Sequence, residues 1–519
     1  MPGIGRWFRG VAGVREAFDE PGVDSIRRLV LESARGGAHA LDELASALFD
    51  VVADAERADQ ALDLLAAAGP KMWIDLDSAL RPSLYGRHDP RVTRARLVRG
   101  MPNPLAVALA ACGHDGRVRQ RAIGHPAMRA DVRLYPVLAI RAADWVGAVQ
   151  DRALRVLEDV LPGADPAALL AVVPVVVRLT DRRRGQGAAA LVRDALLRAG
   201  DDTLAAVRGC DDPRGRRFAF EVSLDAGRMD HGRLAKAALH ESDIVARTRC
   251  AEALAAEAVA RDRPEMLVEL LDSASARVRV EALTGLVRLG HTEYGPRFLA
   301  EEASMMRLTA QWAVRRAGGD PAESYRRLLG ASPRKGARGL LGGLGDCGTR
   351  DDAGLVVPYL GDPRPRVRAE AVRVLRRLGA DVEVAAMLED PAPVVVRNVV
   401  ATLRASGPGV PVERLWTLLG PDSPPHVRQG AFRLLAGGDV WTRITTDLVL
   451  VGRRDEALSG RARGDLGAWY ARDSARTFPD CPERLRGELD DLLREAEGAV
   501  PVEITRLLRW LIRSSPGTA

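Results

Sequence analysis

The sequence predicts an all-α protein, an α-solenoid of about twelve two-helix repeats with helical caps at both ends. Three observations carry this prediction: a repeat of about 30 residues, a composition suited to helices, and no long stretch that alternates with period two. Apolar residues make up 47% of the 519 residues and charged residues 28%, which suits a large buried core. The chain is rich in Ala, Leu, Arg and Glu, which lose little entropy on entering a helix.

Arginines mark the repeat. Each is followed three residues later by a small or apolar residue, as in Arg216 and Ala219. Eight such arginines span positions 216 to 428, so seven steps cover 212 residues, with a mean of about 30. They are Arg216, Arg247, Arg279, Arg307, Arg334, Arg368, Arg397 and Arg428. Earlier in the chain Arg94 and Arg119 keep this relation, whereas Gln150 and Ala189 keep the frame without the arginine.

The clearest repeat runs from residue 362 to 380. Asp362 is expected to cap its first helix, with Pro363 at the helix start and Gly379 in a left-handed turn at the end. One apolar stripe at helical spacing should be buried, formed by Val367, Ala371, Val374, Leu375 and Leu378. The second helix of a repeat is predicted at 351–362, where Pro358 should kink it.

The pattern D-P-x-x-x-V-R-x-x-A-x-x-x-L-x-x-L-G, followed by a second Leu/Val-rich helix and the next Asp, resembles the short HEAT-like repeats of bacterial proteins named after phycobilin lyases. The resemblance covers roughly residues 85–450 and implies two compact helices per repeat. Because stacked repeats need covers at their ends, we divide the chain into an acidic helical cap at 1–84, the array at 85–450 and a helical cap at 451–519.

Repeats of this type serve scaffolds, regulators and a few enzymes. The sequence has no G-x-S-x-G, P-loop or kinase motif and no H-x-x-x-H pair. Its only His-Glu dipeptide is His240-Glu241, whereas the HEAT-like deoxyhypusine hydroxylases need several to hold two irons. We therefore expect a non-enzymatic scaffold or adaptor that binds a protein partner on the concave face, without cofactor or metal. A DNA-glycosylase-like enzyme using Asp144, Trp145 and Trp312 is the enzymatic alternative.

Charge is unevenly distributed along the chain. Residues 81–130 hold ten arginines against two acids, a net of +8, and residues 31–78 hold ten acids against three bases, a net of −7. The alternative function is nucleic-acid binding through this basic patch. Its candidate contacts are Arg87, Arg91, Arg94, Arg96, Arg99, Arg117, Arg119 and Arg121. Two other interpretations stay open: the acidic segment covers the patch, or both are solvated helix faces.

Two further features have a structural and a functional interpretation. The repeat arginines could grip an anionic ligand, but we interpret them as ties to an Asp of their own or the next repeat. Residues 343–348 match G-x-G-x-x-G, the dinucleotide-binding motif, which needs a strand before it and a helix after it. We interpret them instead as the turn inside a repeat.

The location of the protein is predicted from its cysteines and its apolar runs. Five scattered cysteines without a C-x-x-C pair fit a reducing cytoplasm. The longest apolar run, 166–177, is well short of the ~20 residues that span a bilayer. We expect a cytoplasmic protein without a membrane span, and the sequence leaves its oligomeric state open.

Overall fold

The computed structural model describes residues 22–80, 100–163, 165–331, 335–406, 409–453, 455–478 and 480–514. All regular structure within these residues is helical, which confirms the predicted all-α class. The chain divides into two compact units, Met1–Glu257 and Ala258–Ala519, and the division falls inside one helix of the predicted array.

The first unit opens with four helices in the predicted N-terminal cap and continues into the repeats. The cap helices are α1 (Val23–Ala34), α2 (Ala38–Val51), α3 (Ala55–Ala67) and α4 (Pro70–Leu80). The helices that follow are α5 (Pro104–Cys112), α6 (Gly116–Ile123), α7 (Ala127–Ala130), α8 (Tyr135–Arg141), α9 (Gly147–Val160), α10 (Pro166–Leu179), α11 (Gln186–Arg198), α12 (Asp201–Arg208), α13 (Pro213–Asp225), α14 (His231–His240) and α15 (Ile244–Arg261).

The second unit continues the repeats and ends with three helices in the predicted C-terminal cap. The repeat helices are α16 (Glu265–Val268), α17 (Ala276–Arg288), α18 (Ser304–Arg316), α19 (Pro321–Gly330), α20 (Ala337–Cys347), α21 (Ala353–Val356), α22 (Pro365–Arg377), α23 (Pro393–Ser406), α24 (Val412–Leu419), α25 (Pro425–Leu435) and α26 (Val440–Gly452). The cap helices are α27 (Ser459–Arg472), α28 (Glu483–Glu495) and α29 (Val502–Ser514).

Each repeat begins with the helix that carries the arginine motif, which we call its first helix. The described first helices are α6, α9, α11, α13, α15, α17, α18, α20, α22, α23 and α25. With the motif around Arg94, which lies outside the described residues, these eleven agree with the predicted count of about twelve.

The repeat at 362–380 shows how the sequence forms a first helix. The predicted stripe is buried, since Val367, Ala371 and Val374 are at most 4% exposed. Burying each such side chain contributes about 1.5–3 kcal/mol. Gly379 has a φ of +65°, as expected after a helix end. The helix begins at Pro365 rather than Pro363, and the Asp362 carboxylate accepts from the Arg364 backbone N–H at 2.8 Å, in the turn before the helix.

Several second helices in the second unit are replaced by short helical pieces. The segment 351–362 is not one kinked helix but three short pieces, a 3₁₀ turn at Arg350–Asp352, α21, and a 3₁₀ turn at Val357–Gly361. Pro358 lies at the start of the last turn, where its missing N–H is tolerated. Other repeats use 3₁₀ turns at Glu269–Asp272, Thr292–Tyr294, Pro296–Phe298 and Ala385–Glu389. By contrast, Pro174 lies inside α10 in the first unit.

The first helices of the second unit form one closely packed row. Along this row α17 contacts α18, α18 contacts α20, α20 contacts α22, α22 contacts α23, and α23 contacts α25. Apolar side chains from successive repeats merge into extended cores, one from Ile26 to Val222 in the first unit and one from Ala369 to Ile512 in the second. Each repeat therefore buries its apolar sides against its neighbours.

Candidate binding surface on the first helices

The repeat arginines lie at a fixed place, the fourth residue of the first helix. This holds for Arg216 in α13, Arg247 in α15, Arg279 in α17, Arg307 in α18, Arg368 in α22 and Arg428 in α25. Arg119 occupies the same place in α6, and Gln150 and Ala189 occupy it in α9 and α11. The frame found in the sequence is therefore the register of the helices.

These arginines tie each repeat to the next. One side of the guanidinium donates to a backbone carbonyl three residues before its own helix, as Arg368 does to Asp362 at 2.8 Å. The other side pairs with an acid three residues before the next first helix in four cases, Arg119, Arg216, Arg279 and Arg368. In this way Arg368 pairs with Asp390 through two hydrogen bonds of 2.8 Å.

Glu301 shows both halves of the tie in one residue. Its carboxylate accepts from Arg279 of the preceding first helix at 3.0 Å, and its carbonyl accepts from Arg307 of the following one at 3.0 Å. Glu241 has a comparable position, since its carboxylate forms an ion pair with Arg216 at 3.5 Å and its carbonyl accepts from Arg247 at 2.6 Å. We call this chain of contacts the arginine–acid ladder. In each of these pairs the partner carboxylate comes from the next repeat.

The pair of Arg368 and Asp390 stays charged in spite of its burial. Burial alone would raise the pKa of the Asp390 carboxyl, but the Arg368 guanidinium, together with the Ala392 N–H, outweighs it and lowers that pKa below its ordinary value. The same hydrogen bond raises the pKa of Arg368. Both groups therefore stay charged at neutral pH, as an inter-repeat tie requires.

Two repeat arginines predicted from the sequence leave this register. Arg334 precedes α20, whose fourth residue is Leu340, and lies outside the described residues. Arg397 is the fifth residue of α23 rather than the fourth, and its side chain is exposed. In its place the ring of His426 lies 3.0 Å from the Asp390 carbonyl. Both arginines match the sequence pattern, an arginine followed three residues later by a small or apolar residue, although they lie one or a few residues away from the fourth position of the helix. The pattern therefore misassigns both.

The glycine motif at 343–348 is the end of a helix and not a turn inside the repeat. Gly343 and Gly345 lie in α20, and no strand precedes it among the described residues, so the dinucleotide-site geometry is not formed. Asp346 pairs with Arg307 at 3.0 Å, and both are nearly buried. The residue three before α20 is an arginine, Arg334, which cannot accept from Arg307. Asp346 supplies the carboxylate instead.

The predicted basic patch is only partly described, and one of its described members is buried. Arg87, Arg91, Arg94, Arg96 and Arg99 lie outside the described residues. Arg117 and Arg121 are exposed, whereas Arg119 is fully buried and belongs to the ladder. Arg119 pairs with Asp144 through two hydrogen bonds of 3.0 Å, and its guanidinium lies 4.5 Å from the centre of the Trp145 ring.

Asp144 also accepts from Arg141 at 2.8 Å, and Arg141 in turn pairs with Asp77 of α4. All four side chains of this network are at most 2% exposed. A carboxylate that is buried and held by two arginines is not accessible to a substrate. This finding disfavours the glycosylase role considered for Asp144.

The acidic N-terminal segment pairs with arginines beyond the predicted patch. Asp59 and Asp63 of α3 each accept from Arg133 at 2.7 Å, and Asp131 accepts from it as well. The hydrogen bond to Asp131 is the largest of the effects that raise the pKa of Arg133. The cap is therefore fastened to the first repeats by ion pairs at Arg133 and Arg141.

A second set of residues on the same helices faces outward. The set consists of the second, fifth and ninth residues of each first helix in the second unit. Sixteen of these eighteen residues are at least partly exposed, so these positions define a surface. Six are arginines and none is acidic. These arginines are Arg277, Arg338, Arg366, Arg373, Arg397 and Arg433. We call this surface the basic face.

The first unit lacks this imbalance. Its corresponding positions hold four arginines (Arg117, Arg155, Arg214 and Arg217) and four acids (Asp151, Asp194, Glu221 and Glu252). The charge of the basic face is therefore a property of the second unit and not of the repeat itself. The excess of arginines is visible in the sequence when charges are sorted by helix position. Charge sums over fifty-residue windows do not show it.

A groove of about 390 Å³ crosses the basic face between α20, α22 and α23. It is lined by Arg338, Arg366, Ala369, Glu370, Arg373, Val394 and Asn398. Glu370 is 5% exposed and pairs with Arg373, and Arg338 pairs with Glu302 at 2.5 Å. No carboxylate among the described residues pairs with Arg366, which leaves that guanidinium available for an external anion.

An apolar cluster lies on the same face of α18. Met305 and Leu308, its second and fifth residues, are 62% and 44% exposed, and Trp312 is the ninth. Large apolar side chains grouped at such exposure on a folded protein are typical of interaction sites. From the sequence, Trp312 is a candidate only for the glycosylase-like alternative, and no sequence pattern singles out Met305 or Leu308.

Within the described residues no group of three or more His, Cys, Asp or Glu side chains is placed to hold a metal ion. Over the same part of the chain, no helix combines the length and apolar character needed to cross a bilayer.

Comparisons with known proteins give a fold likeness only. No protein-family model matches the chain, and no curated protein matches it either. Among solved structures, importin beta aligns with 94% of this chain and 88% of its own at 12% identity, with a TM-score of 0.30. Kap121p bound to Pho4p aligns with 95% of this chain and 53% of its own at 11% identity, with a TM-score of 0.29. These TM-scores are too low to assign the fold. The assignment depends instead on the helices of this chain, which form a HEAT-like helical repeat array.

Proposed function

We propose that this chain is a non-enzymatic scaffold or adaptor that binds a protein partner along the basic face of its second unit. The observation that carries the proposal is the separation of arginines by position. Those at the fourth position are used inside the fold, whereas those at the second, fifth and ninth positions are presented to solvent without an acid among them. A surface of one sign attracts a partner of the other sign.

A protein partner is favoured over a nucleic acid by the apolar cluster. Nucleic-acid affinity comes mainly from phosphate contacts, which would leave Met305 and Leu308 exposed in the complex. A protein partner can cover both charges and apolar side chains. The basic patch of the nucleic-acid alternative also loses Arg119, which is buried.

The proposal is tested by affinity capture with the full chain and two matched variants. One variant reverses three exposed arginines of the basic face (Arg277→Glu, Arg366→Glu and Arg397→Glu). The control reverses three exposed arginines at corresponding positions of the first unit (Arg117→Glu, Arg155→Glu and Arg214→Glu). We expect a protein partner that the wild type and the control retain and the basic-face variant loses. Identical capture by all three proteins, each shown to be folded, would refute the proposal.

We also propose a class for the repeats and a cellular location for the protein. The D-P-x-x-x-V-R motif supports repeats of the phycobilin-lyase type. None of the five cysteines, all of which lie within the described residues, forms a disulfide, which supports a reducing compartment, the cytoplasm.

A further inference from the structure

The basic face combines an apolar site and a cationic groove at a definite separation. The apolar site is Met305, Leu308 and Trp312 on α18, and the cationic groove is built around Arg366 on α22. One helix, α20, lies between them and contacts both. Helices packed side by side are ~8–10 Å apart, so the two sites are about 20 Å apart.

The groove is arranged to receive a carboxylate. The buried Glu370 engages Arg373, and Glu302 engages Arg338, so two of its three arginines already have partners at the rim. Arg366 is exposed and has no ion pair among the described residues. An incoming carboxylate can therefore pair with Arg366 without displacing an internal acid, and the flanking guanidinium groups add attraction.

The apolar site has different chemistry. Met305 is 62% exposed, and its flexible thioether side chain adapts to varied apolar partners. Leu308 follows one helical turn later and is 44% exposed. Covering these side chains removes apolar surface from water and gives a bound segment a non-ionic anchor.

The separation sets the length of the bound segment. An extended chain advances ~3.3 Å per residue, so about six residues span 20 Å. A helical segment would need about thirteen residues for the same distance, at 1.5 Å per residue. The extended form reaches both sites with the shorter segment.

We propose that the basic face binds an extended acidic segment of another protein, with large apolar residues about six residues from a cluster of carboxylates. This inference rests on the proposed function and specifies its partner. A second copy of the chain is not a suitable occupant, because basic faces repel each other. The chain's own acidic segment is also unsuitable, because its Asp59, Asp63 and Asp77 are paired within the first unit.

The test is fluorescence anisotropy with the full chain and three labelled synthetic peptides at low salt, ~50 mM. The first peptide has two leucines separated by about six Gly/Ser residues from three glutamates. The second places the same leucines directly beside the glutamates and has the same composition. The third replaces the glutamates with glutamines. We expect the first to bind most tightly, with at least tenfold weaker binding of each of the others.

Variants locate the site. Arg366→Glu and the pair Met305→Ser with Leu308→Ser should each weaken the first peptide at least tenfold. The controls Arg155→Glu in the first unit and Leu328→Ser, which alters a 37% exposed leucine on α19, should stay within twofold. A single-stranded oligonucleotide of about twelve nucleotides serves as competitor. Equal binding by all variants, or stronger binding of the oligonucleotide at this site, would overturn the inference.

Failure of this inference is distinguishable from failure of the proposed function. If captured partners depend on Arg277, Arg366 and Arg397 but none of the peptides binds, the scaffold role stands and the acidic-segment inference is wrong. If capture is independent of those arginines, the scaffold role on this face fails as well.

Discussion

Arg368 and Asp390 form a two-point ion pair, in which Nε and Nη2 of the arginine each donate to a different carboxylate oxygen at 2.8 Å. The two residues are 22 positions apart and belong to successive repeats. The planar guanidinium matches the carboxylate in this geometry, which lysine cannot do. Such a pair fixes the spacing of neighbouring first helices as well as stabilising them.

Removing one half of this pair should destabilise the protein. In Arg368→Met, the Asp390 carboxylate, 8% exposed, and the Asp362 carbonyl lose their donor. We expect a loss of about 2 kcal/mol in the free energy of unfolding, because a nearly buried charge is left unpaired. Urea denaturation followed by circular dichroism measures it. Arg366→Met on the same helix, at an exposed position, should change stability by less than about 0.5 kcal/mol.

The stabilisation by Asp390 should depend on pH in the acid range. Its pKa is lowered in the folded protein, so its contribution is fully present above the unfolded value of ~3.9 and is lost as the pH falls through the folded value. Asp390→Asn should therefore be less stable than the wild type at pH 7, and the gap should narrow below pH ~4. Thermal melts of both proteins across this range test it, and a gap that widens toward acid would contradict the account.

Asp447 should have the opposite pH dependence. Its carboxyl group is fully buried, and burial, together with the repulsion and a hydrogen bond from Asp465, raises its pKa to about 9. The folded protein therefore keeps it protonated while the unfolded chain ionises. The wild type should lose about 1.4 kcal/mol per pH unit from this group between pH ~4 and ~9. Asp447→Asn should remove that loss, so its melting temperature should exceed the wild type's increasingly as pH rises. Asp202→Asn, at an exposed position, is the control.

Gly343 should be required for packing. A Cβ at this position would lie 2.1 Å from the Tyr325 ring, which is buried and donates from its hydroxyl to the Leu299 carbonyl. Gly343→Ala should therefore destabilise the protein by about 2 kcal/mol, even though alanine favours helices. The control is Gly467→Ala in α27, where a Cβ would meet no atom within 4 Å. It should stabilise by about 0.5–1 kcal/mol. Melting temperatures that change in the same direction for both variants would contradict this account.

The sequence predicts the helical class, the repeat and the place of most arginines. All three follow from regular spacings of residues, which the helices preserve. Arg334 and Arg397 could not be placed, since a register error of a few residues leaves the pattern intact. The partner of Arg307 is Asp346, 39 residues away, and no local rule predicts so distant a contact. The basic face was missed because exposure depends on which side of each helix its neighbours cover.

The central claim is that two arginines on one helix, Arg366 and Arg368, have different roles. The most direct test is the affinity of the acidic, leucine-bearing peptide for Arg366→Glu, measured beside its melting temperature. The account predicts binding at least tenfold weaker than wild type and a melting temperature within about 2 °C of it, since exposed substitutions change stability little. Unchanged affinity, or a loss of binding that follows only from unfolding, would contradict the claim.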